Sequence, residues 1–361
     1  MMRVAVIGLG AVANNIHLPA YRRLMDRMTL VAGCDVDPVA RAAMAKSGAF
    51  QEIYDDPARM LDRSKPDIVS ICTPPALHVR QCLEALERGC HVFCEKPMAE
   101  SLREADVIIE ASARLRRSVV VNSQFPYMHM HMAAKRLIGS PEFGRLLFLH
   151  ASQTFRPTAQ TEAGWRATMQ RRLCFEFGVH VFELIRYFFD ATPNRLWALM
   201  PRPQVGGGTE SLNIIAMEFA DGRAASILLD RLSKGPERYL DIRLDGEYAA
   251  MTTSIGGELR VEAGLHTRQR KLFAGFHLVK GGKAVLQQAE RTVVIGKDGV
   301  NPMASATAVH FGNFLTALET GRLPAGTAAD HRSTLALSLA AYDAVESGRA
   351  VEMASYLSRT D

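Results

Sequence analysis

The first third of the chain alternates short apolar runs with amphipathic stretches. Apolar runs at 3–7, 29–34, 67–72, 91–94 and 118–122 are separated by stretches of helical periodicity near 38–47, 76–88 and 101–115. A run such as Asp67-Ile68-Val69-Ser70-Ile71-Cys72 lacks regular polar alternation, which suits a strand of a parallel sheet covered on both faces. Right-handed crossovers between such strands predict a doubly wound domain over 1–122.

After Asn122 the pattern changes. A helix near 128–138 leads into a long strand from Arg145 to Arg156, and a second helix follows near 175–189. Asp221-Gly222 then separates Asn213–Phe219 from Arg223–Leu229, and Asp245-Gly246 separates Tyr239–Leu244 from Glu247–Thr252. Asp-Gly between apolar strands signals hairpins, so the sheet of this second α/β domain, 123–361, is expected to be mainly antiparallel. Gly206-Gly207-Gly208 reads as a connecting loop, and helices near 304–320 and 331–347 finish the chain. No internal repeat is visible.

Chemistry enters at the first turn. Arg3-Val4-Ala5-Val6-Ile7 leads into Gly8-Leu9-Gly10-Ala11-Val12-Ala13, and the run Leu30-Val31-Ala32-Gly33-Cys34 ends at Asp35. Gly8 permits a tight turn, Gly10 lets backbone approach a pyrophosphate, and the small Ala13 lets a helix pack close to the strand. Unpaired N–H groups at the helix start, around Ala11 and Val12, favour an anion. Asp35 lies twenty-two positions after Ala13, close to the roughly 20-residue offset of an acid that accepts a ribose 2′-OH. A carboxylate there repels a 2′-phosphate, so NAD is expected rather than NADP.

Composition narrows the class. The 361 residues, 48% hydrophobic and 22% charged, call for two domains of ordinary globular make-up. The net charge of +5 comes from scattered clusters, Arg114-Leu115-Arg116-Arg117, Arg171-Arg172 and Arg268-Gln269-Arg270-Lys271, not from the concentrated stripe of a nucleic-acid reader. No apolar run approaches the roughly 18 residues of a membrane span. The chain opens almost directly into its first strand, so a cytoplasmic protein without a membrane partner is expected. Six cysteines show no CxxC pair and read as reduced structural thiols.

Two signals fall at strand carboxyl ends, where open α/β sheets bind ligands. Thr73-Pro74-Pro75 with His78 follows one run, and Glu95-Lys96-Pro97 follows the next. An ammonium at Lys96 would face the nicotinamide end of a bound cofactor, polarise a substrate oxygen and hold charge that develops as a hydride leaves. In the second domain, Phe175-Glu176-Phe177-Gly178-Val179-His180-Val181-Phe182-Glu183 read as a helix puts Glu176, His180 and Glu183 on one face. His180 suits proton transfer from a hydroxyl, and Glu176 one turn away is placed to orient it or bind a second hydroxyl. Trp165 and Arg166 precede this helix and are candidates to line the substrate side, with Glu183. No metal is expected, because the three helix residues lack a second imidazole or a thiolate. His17 and His91 read as packing or local polar contacts.

Together, Gly8-Leu9-Gly10-Ala11-Val12-Ala13, Thr73-Pro74 with His78, Glu95-Lys96-Pro97 and Gly178-Val179-His180 resemble the Gfo/Idh/MocA oxidoreductases, the glucose-fructose and inositol dehydrogenase type. The ending, from His310-Phe311 through Asp330 and Thr334-Leu335-Ala336-Leu337 to Ala340-Ala341-Tyr342, extends the resemblance over nearly the whole chain. It implies a Rossmann domain followed by an α/β domain on an open, mainly antiparallel sheet. It implies oxidation of a secondary alcohol of a sugar, cyclitol or related polyol by a nicotinamide cofactor. Lys96 and His180 would hold the family's catalytic lysine and histidine positions, with Thr73, Pro74, His78 and Glu95 beside the cofactor. Pairing through the open sheet face, into a homodimer or homotetramer, is implied as well. Rival readings are a lyase or glycosidase that retains its cofactor and a non-catalytic NAD-binding regulator; an intact Lys96 and His180 argue for turnover. The chain departs from the family where Glu176 and Glu183 stand for aspartates, Gln170-Arg171-Arg172-Leu173-Cys174 for a glycine-rich approach, and Gln124 for an arginine.

Overall fold

The computed structural model describes residues 1–158, 161–203, 210–234, 238–256, 261–266, 271–276 and 281–359, and the triple glycine at 206–208 and residues 268–270 lie outside them. Six strands, β1 (Met2–Ile7), β2 (Met28–Cys34), β3 (Glu52–Tyr54), β4 (Ile68–Ile71), β5 (His91–Cys94) and β6 (Val119–Val121), pair in parallel in the order β3-β2-β1-β4-β5-β6. The order reverses between β1 and β4, the switch point at which doubly wound sheets bind ligands. Between the strands run α1 (Leu18–Tyr21), α2 (Pro38–Ser47), α3 (Pro57–Ser64), α4 (His78–Glu87) and α5 (Leu102–Leu115).

Sequence reading misses β3 and α3. The strand has only three residues at the sheet edge, too few for a pattern to form. The helix is set instead by its cap, where the Asp56 side chain accepts from the Arg59 N–H. The helix expected after the glycine turn opens as a π-helical turn, Ala13–His17, which continues into α1.

The second part begins with α6 (His129–Leu137), β7 (Leu146–Thr154) and α7 (Val179–Phe189). The strands β8 (Arg195–Leu199), β9 (Leu212–Glu218), β10 (Ala224–Asp230), β11 (Arg238–Gly246) and β12 (Ala250–Ile255) follow, then β13 (Val261–His266), β14 (Lys271–Phe276), β15 (Gly282–Gln288) and β16 (Arg291–Asp298). Helices α8 (Pro302–Thr320) and α9 (Ala328–Ser347), β17 (Val351–Glu352) and α10 (Met353–Leu357) close the chain. Nine strands form one sheet in the order β16-β15-β12-β11-β7-β10-β9-β8-β17, while β13 and β14 make a separate ribbon. Only the central β7–β10 pair is parallel. Burial alternates along β9 and β10, so one face of the sheet packs inward and the other stays open.

The turn at Asp221-Gly222 joins β9 to β10 as expected, with Gly222 at φ 80°. At Asp245-Gly246 the expectation fails. Both residues belong to β11, Asp245 pairs with Ala250, and the chain turns at 247–249. Gly246 is required by contact instead: a Cβ there would stand 2.5 Å from the Phe143 carbonyl oxygen. The last helices return to the first sheet. Phe311 of α8 packs against Tyr21 and Phe93, with ring centroids 4.7 and 4.9 Å apart, so this part of the second segment completes the first core. Among the described residues, no helix is long and apolar enough to cross a membrane.

Gly246→Ala should lower stability by roughly 1–3 kcal/mol, the usual cost of forcing a methyl group into filled space. A shift of the urea unfolding midpoint to lower concentration, with an unchanged slope, is the expected reading.

Candidate functional site

The glycine turn is built as a cradle. Gly8 has φ 90°, and a Cβ on it would lie 2.8 Å from the backbone of Cys72 at the end of β4, so only glycine lets the two strand ends approach. At Gly10 no atom lies within 4 Å of where a Cβ would stand, which leaves the backbone open to a phosphate group. The Asn14 amide holds the turn by donating to the Leu9 and Gly10 carbonyls at 2.7 and 2.9 Å. Asp35 braces it from β2, accepting from the Leu9 N–H at 2.7 Å and the Asp37 N–H at 2.8 Å. Ala13 is fully buried behind the turn.

At the neighbouring strand ends, the side chains expected to touch a cofactor are partly turned inward. His78 is fully buried, with Nδ1 2.9 Å from the Pro97 carbonyl and Nε2 2.8 Å from the Thr73 carbonyl. It ties the Thr73-Pro74-Pro75 turn to the Glu95-Lys96-Pro97 corner. Thr73 donates to Gln81. Glu95 is buried, and its Oε1 accepts from His17 Nε2 and Asn122 Nδ2, each at 2.7 Å. His78 and Glu95 therefore support the site through other groups; their polar atoms are occupied within the protein. His17, read from sequence as a packing or local polar contact, does contact Tyr21 one turn on, and beyond that it is a full member of this network. No sequence pattern marks its long-range partners, which are Ser70 of β4, Glu95 just past β5 and Asn122 just past β6.

Lys96 reaches across to the second domain. Its Nζ donates to the Glu176 carbonyl at 2.7 Å, one turn before His180. Burial pulls the Lys96 ammonium below the usual lysine range, while the Glu176 and Glu95 carboxylates offset part of that pull.

The expected helix over 175–189 is two structures. Leu173–Gly178 is a π-helical turn, and α7 begins only at Val179. The wider turn breaks the one-face reading of Glu176, His180 and Glu183. Glu176 is buried between two guanidinium groups, with Oε1 2.6 Å from Arg166 Nε and Oε2 3.4 Å from Arg172 Nε. Glu183 instead accepts from the Thr334 hydroxyl of α9 and lies 3.8 Å from Arg186. His180 is buried and stacks on Phe125 at 4.0 Å with rings 4° from parallel, and its Nδ1 is buried with no hydrogen-bond partner among the described residues. Neither carboxylate orients the imidazole; the Phe125 ring does.

Gly178 has its own reason, since a Cβ there would meet the Leu229 side chain at 2.9 Å. Where family members carry a glycine-rich approach, Glu210 caps the π turn, accepting from the N–H groups of Arg172 at 3.0 Å and Cys174 at 3.3 Å. Glu210 is thirty-eight residues from Arg172 and invisible to local reading. Trp165 and Arg166 lie on the short 3₁₀ turn Gly164–Thr168, with the guanidinium 4.3 Å above the indole. Trp165, Met169 and Phe175 face Pro74, Pro75 and Ala76 across a cleft of about 380 Å³ at the domain junction.

Both parts of the chain are similar to known proteins. Residues 2–123 match the family model described as "Oxidoreductase family, NAD-binding Rossmann fold", and residues 131–252 match the GFO/IDH/MocA C-terminal domain. D-glucoside 3-dehydrogenase of Escherichia coli (strain K12) is 40% identical over 114 residues, 32% of this chain and 32% of that protein, so the match spans about a third of its length. D-apiose dehydrogenase of Paraburkholderia graminis is 25% identical over 358 residues, covering 97% of this chain and 89% of that one. In three dimensions the chain is similar to an oxidoreductase from Agrobacterium radiobacter crystallised with NAD+, L-tartaric acid and magnesium, with a TM-score of 0.82 at 18% identity, covering 98% of this chain and 99% of that one.

Burial also sets the charge of the histidines around the cleft. Burial and the nearby Lys96 ammonium hold His180 well below the ordinary histidine value of 6.5. Burial likewise brings His131 and His310 to about 4 and His331 to about 3. Their neutral forms fold at no cost above pH 6.5, whereas the unfolded chain takes up their protons below it. The stability they contribute is complete above pH 6.5 and lost as pH falls towards 4, by up to about 1.4 kcal/mol per pH unit for each group. Melting temperature should fall from pH 7 to pH 5, and His131→Asn should make that fall shallower.

Proposed function

The chain belongs to the Gfo/Idh/MocA family of NAD-binding oxidoreductases, and on that premise we propose that it transfers a hydride between NAD and a secondary alcohol carbon of a sugar, cyclitol or related polyol. The observation that carries the reading is the bond from Lys96 Nζ to the Glu176 carbonyl, which brings the lysine of one domain to the π-helical turn that leads into the helix bearing His180. The depressed basicity of His180, which comes first from burial and then from the Lys96 charge, supports placing both groups around one enclosed space. Two relatives named above, acting on a glucoside and on apiose, support the substrate class.

NAD, when bound, supplies the hydride acceptor. The turn around Gly8, Gly10, Ala11 and Val12 would hold its phosphates, with Ala13 close behind, and Asp35 would receive its ribose hydroxyls. Thr73 and Pro74 border the same strand ends. Lys96 hydrogen-bonds the substrate oxygen and stabilises negative charge as the C–H bond breaks. The neutral His180 imidazole takes the hydroxyl proton. Glu176, clamped by Arg166 and Arg172, fixes the π turn and presents its carbonyl to Lys96. Trp165 and Arg166 border the substrate side.

A second copy of the chain covers the open sheet face. Trp197 is 40%, Leu199 60% and Ile214 46% exposed, and the registers Trp197↔Ala216 and Leu199↔Ile214 put them on that one face. An apolar patch on a sheet face is a usual association surface. We place the enzyme in the cytoplasm, a reducing compartment in keeping with six free thiols.

A nicotinamide-absorbance screen over cyclitols, aldoses, glycosides and uronic acids, with NAD and NADP in parallel, should show NADH formation preferring NAD. Lys96→Ala should keep NAD affinity and lose about a hundredfold or more in turnover. Unchanged turnover would remove the proposed chemistry, and a burst of bound NADH without release would instead mark a cofactor-retaining enzyme. Ile214→Asp with Trp197→Asp should convert the parent oligomer into a monomer by light scattering.

A further inference from the structure

Behind the lysine corner lies a buried polar chain that the proposed reaction does not use directly. His17 has no exposed surface. Its Nδ1 faces the Tyr21 hydroxyl at 2.9 Å and the Ser70 hydroxyl at 3.2 Å, and its Nε2 faces Glu95 Oε1 at 2.7 Å. Tyr21 donates onward to Ser70 at 2.7 Å, so its oxygen is free to accept from the imidazole. Asn122 donates to the same Glu95 oxygen and also lies 3.3 Å from Thr307 of α8. The other carboxylate oxygen, Glu95 Oε2, accepts the backbone N–H of Lys96 at 3.2 Å. His17, Asn122 and the Lys96 N–H thus meet on one carboxylate, with Ser70 of β4 and Thr307 of α8 backing the first two.

We propose that His17 is a positioning residue, holding the Glu95 carboxylate as a fixed negative charge against Lys96 and so tying the phosphate-binding turn to the ammonium that polarises the substrate. The inference rests on the reading of Lys96 given above. A buried carboxylate without its cation would protonate or turn away, because an unpaired charge in the interior is costly. Burial opposes ionisation of both partners here. For Glu95 the hydrogen bonds from His17 and Asn122 and the Lys96 charge outweigh it, and the carboxyl stays below the usual range. For His17 the neighbouring Cys72, Tyr21 and Glu95 outweigh it, and the imidazole stays well above its usual value. Lys96 in turn faces Glu176, Arg166, His180, His331 and His78 besides Glu95. Glu95 is the one carboxylate among these groups that belongs to the lysine's own domain.

The test reads the lysine directly, without substrate. Protein labelled with carbon-13 and nitrogen-15 lysine is titrated by NMR, the Lys96 signal being assigned by its loss in Lys96→Met. Glu95→Gln, nearly isosteric, and His17→Phe, which removes both ring nitrogens, should each lower the Lys96 titration midpoint by about half a pH unit or more. NADH affinity, read from nicotinamide fluorescence, should stay within about threefold, and turnover of the alcohol found active in the screen should fall roughly tenfold or more at unchanged KM. His17→Gln, which still donates to Glu95, should recover most of the midpoint and rate. If His17→Phe does not fold, Glu95→Gln decides alone. A lysine midpoint unmoved in Glu95→Gln, or lost melting temperature with no change at Lys96, overturns the positioning role. A moved midpoint in a protein whose Lys96→Ala variant still turns over would instead defeat the catalytic reading of Lys96.

Discussion

An ammonium withdrawn from water needs acceptors that cannot move away, and the union of the two domains is organised around that need. Lys96 stands on the Rossmann side, at the end of β5, and its carbonyl acceptor at Glu176 stands on the other side. The carboxylates of Glu95 and Glu176 approach it from opposite domains. Each of those carboxylates is itself held by cations or amides: Glu95 by His17 and Asn122, Glu176 by Arg166 and Arg172. The charges alternate outward from the lysine, and no member is left to find its own partner.

That arrangement accounts for features that look like defects in a family pattern. A glutamate at 176 reaches further than an aspartate, and here it reaches two guanidinium groups instead of the neighbouring imidazole. The glycine-rich approach is replaced by Arg171 and Arg172, of which Arg172 is almost fully buried. Glu210 then provides from a distant loop the cap that the approach itself lacks. The π-helical turn Leu173–Gly178 is the local consequence. It sets Glu176 and His180 on different courses and leaves the imidazole to be positioned by stacking on Phe125.

Burial does double work in the same cleft. It holds His180 well below the ordinary histidine value and pulls Lys96 below the usual lysine range. The same burial makes the fold dependent on His131, His180, His310 and His331 staying uncharged. The shifted groups and the acid sensitivity are two readings of one low-dielectric interior.

The chain by itself determined what depends on near neighbours. Continuous apolar runs specify parallel strands, and Gly8 and Gly10 with Asp35 specify a dinucleotide turn. Asp221-Gly222 specifies a hairpin, since a positive φ is a local demand. Asp245-Gly246 carries the same letters for another reason, the approach of Phe143 from a strand connection a hundred residues earlier, and local reading cannot separate the two causes. Tertiary structure alone decided that His17 meets Glu95, that His78 binds two carbonyls, that Glu183 turns to α9 and that Glu210 caps the π turn. Each of those contacts joins segments whose proximity follows from sheet order and domain packing, and a buried polar group takes whichever partner the fold brings within hydrogen-bond reach.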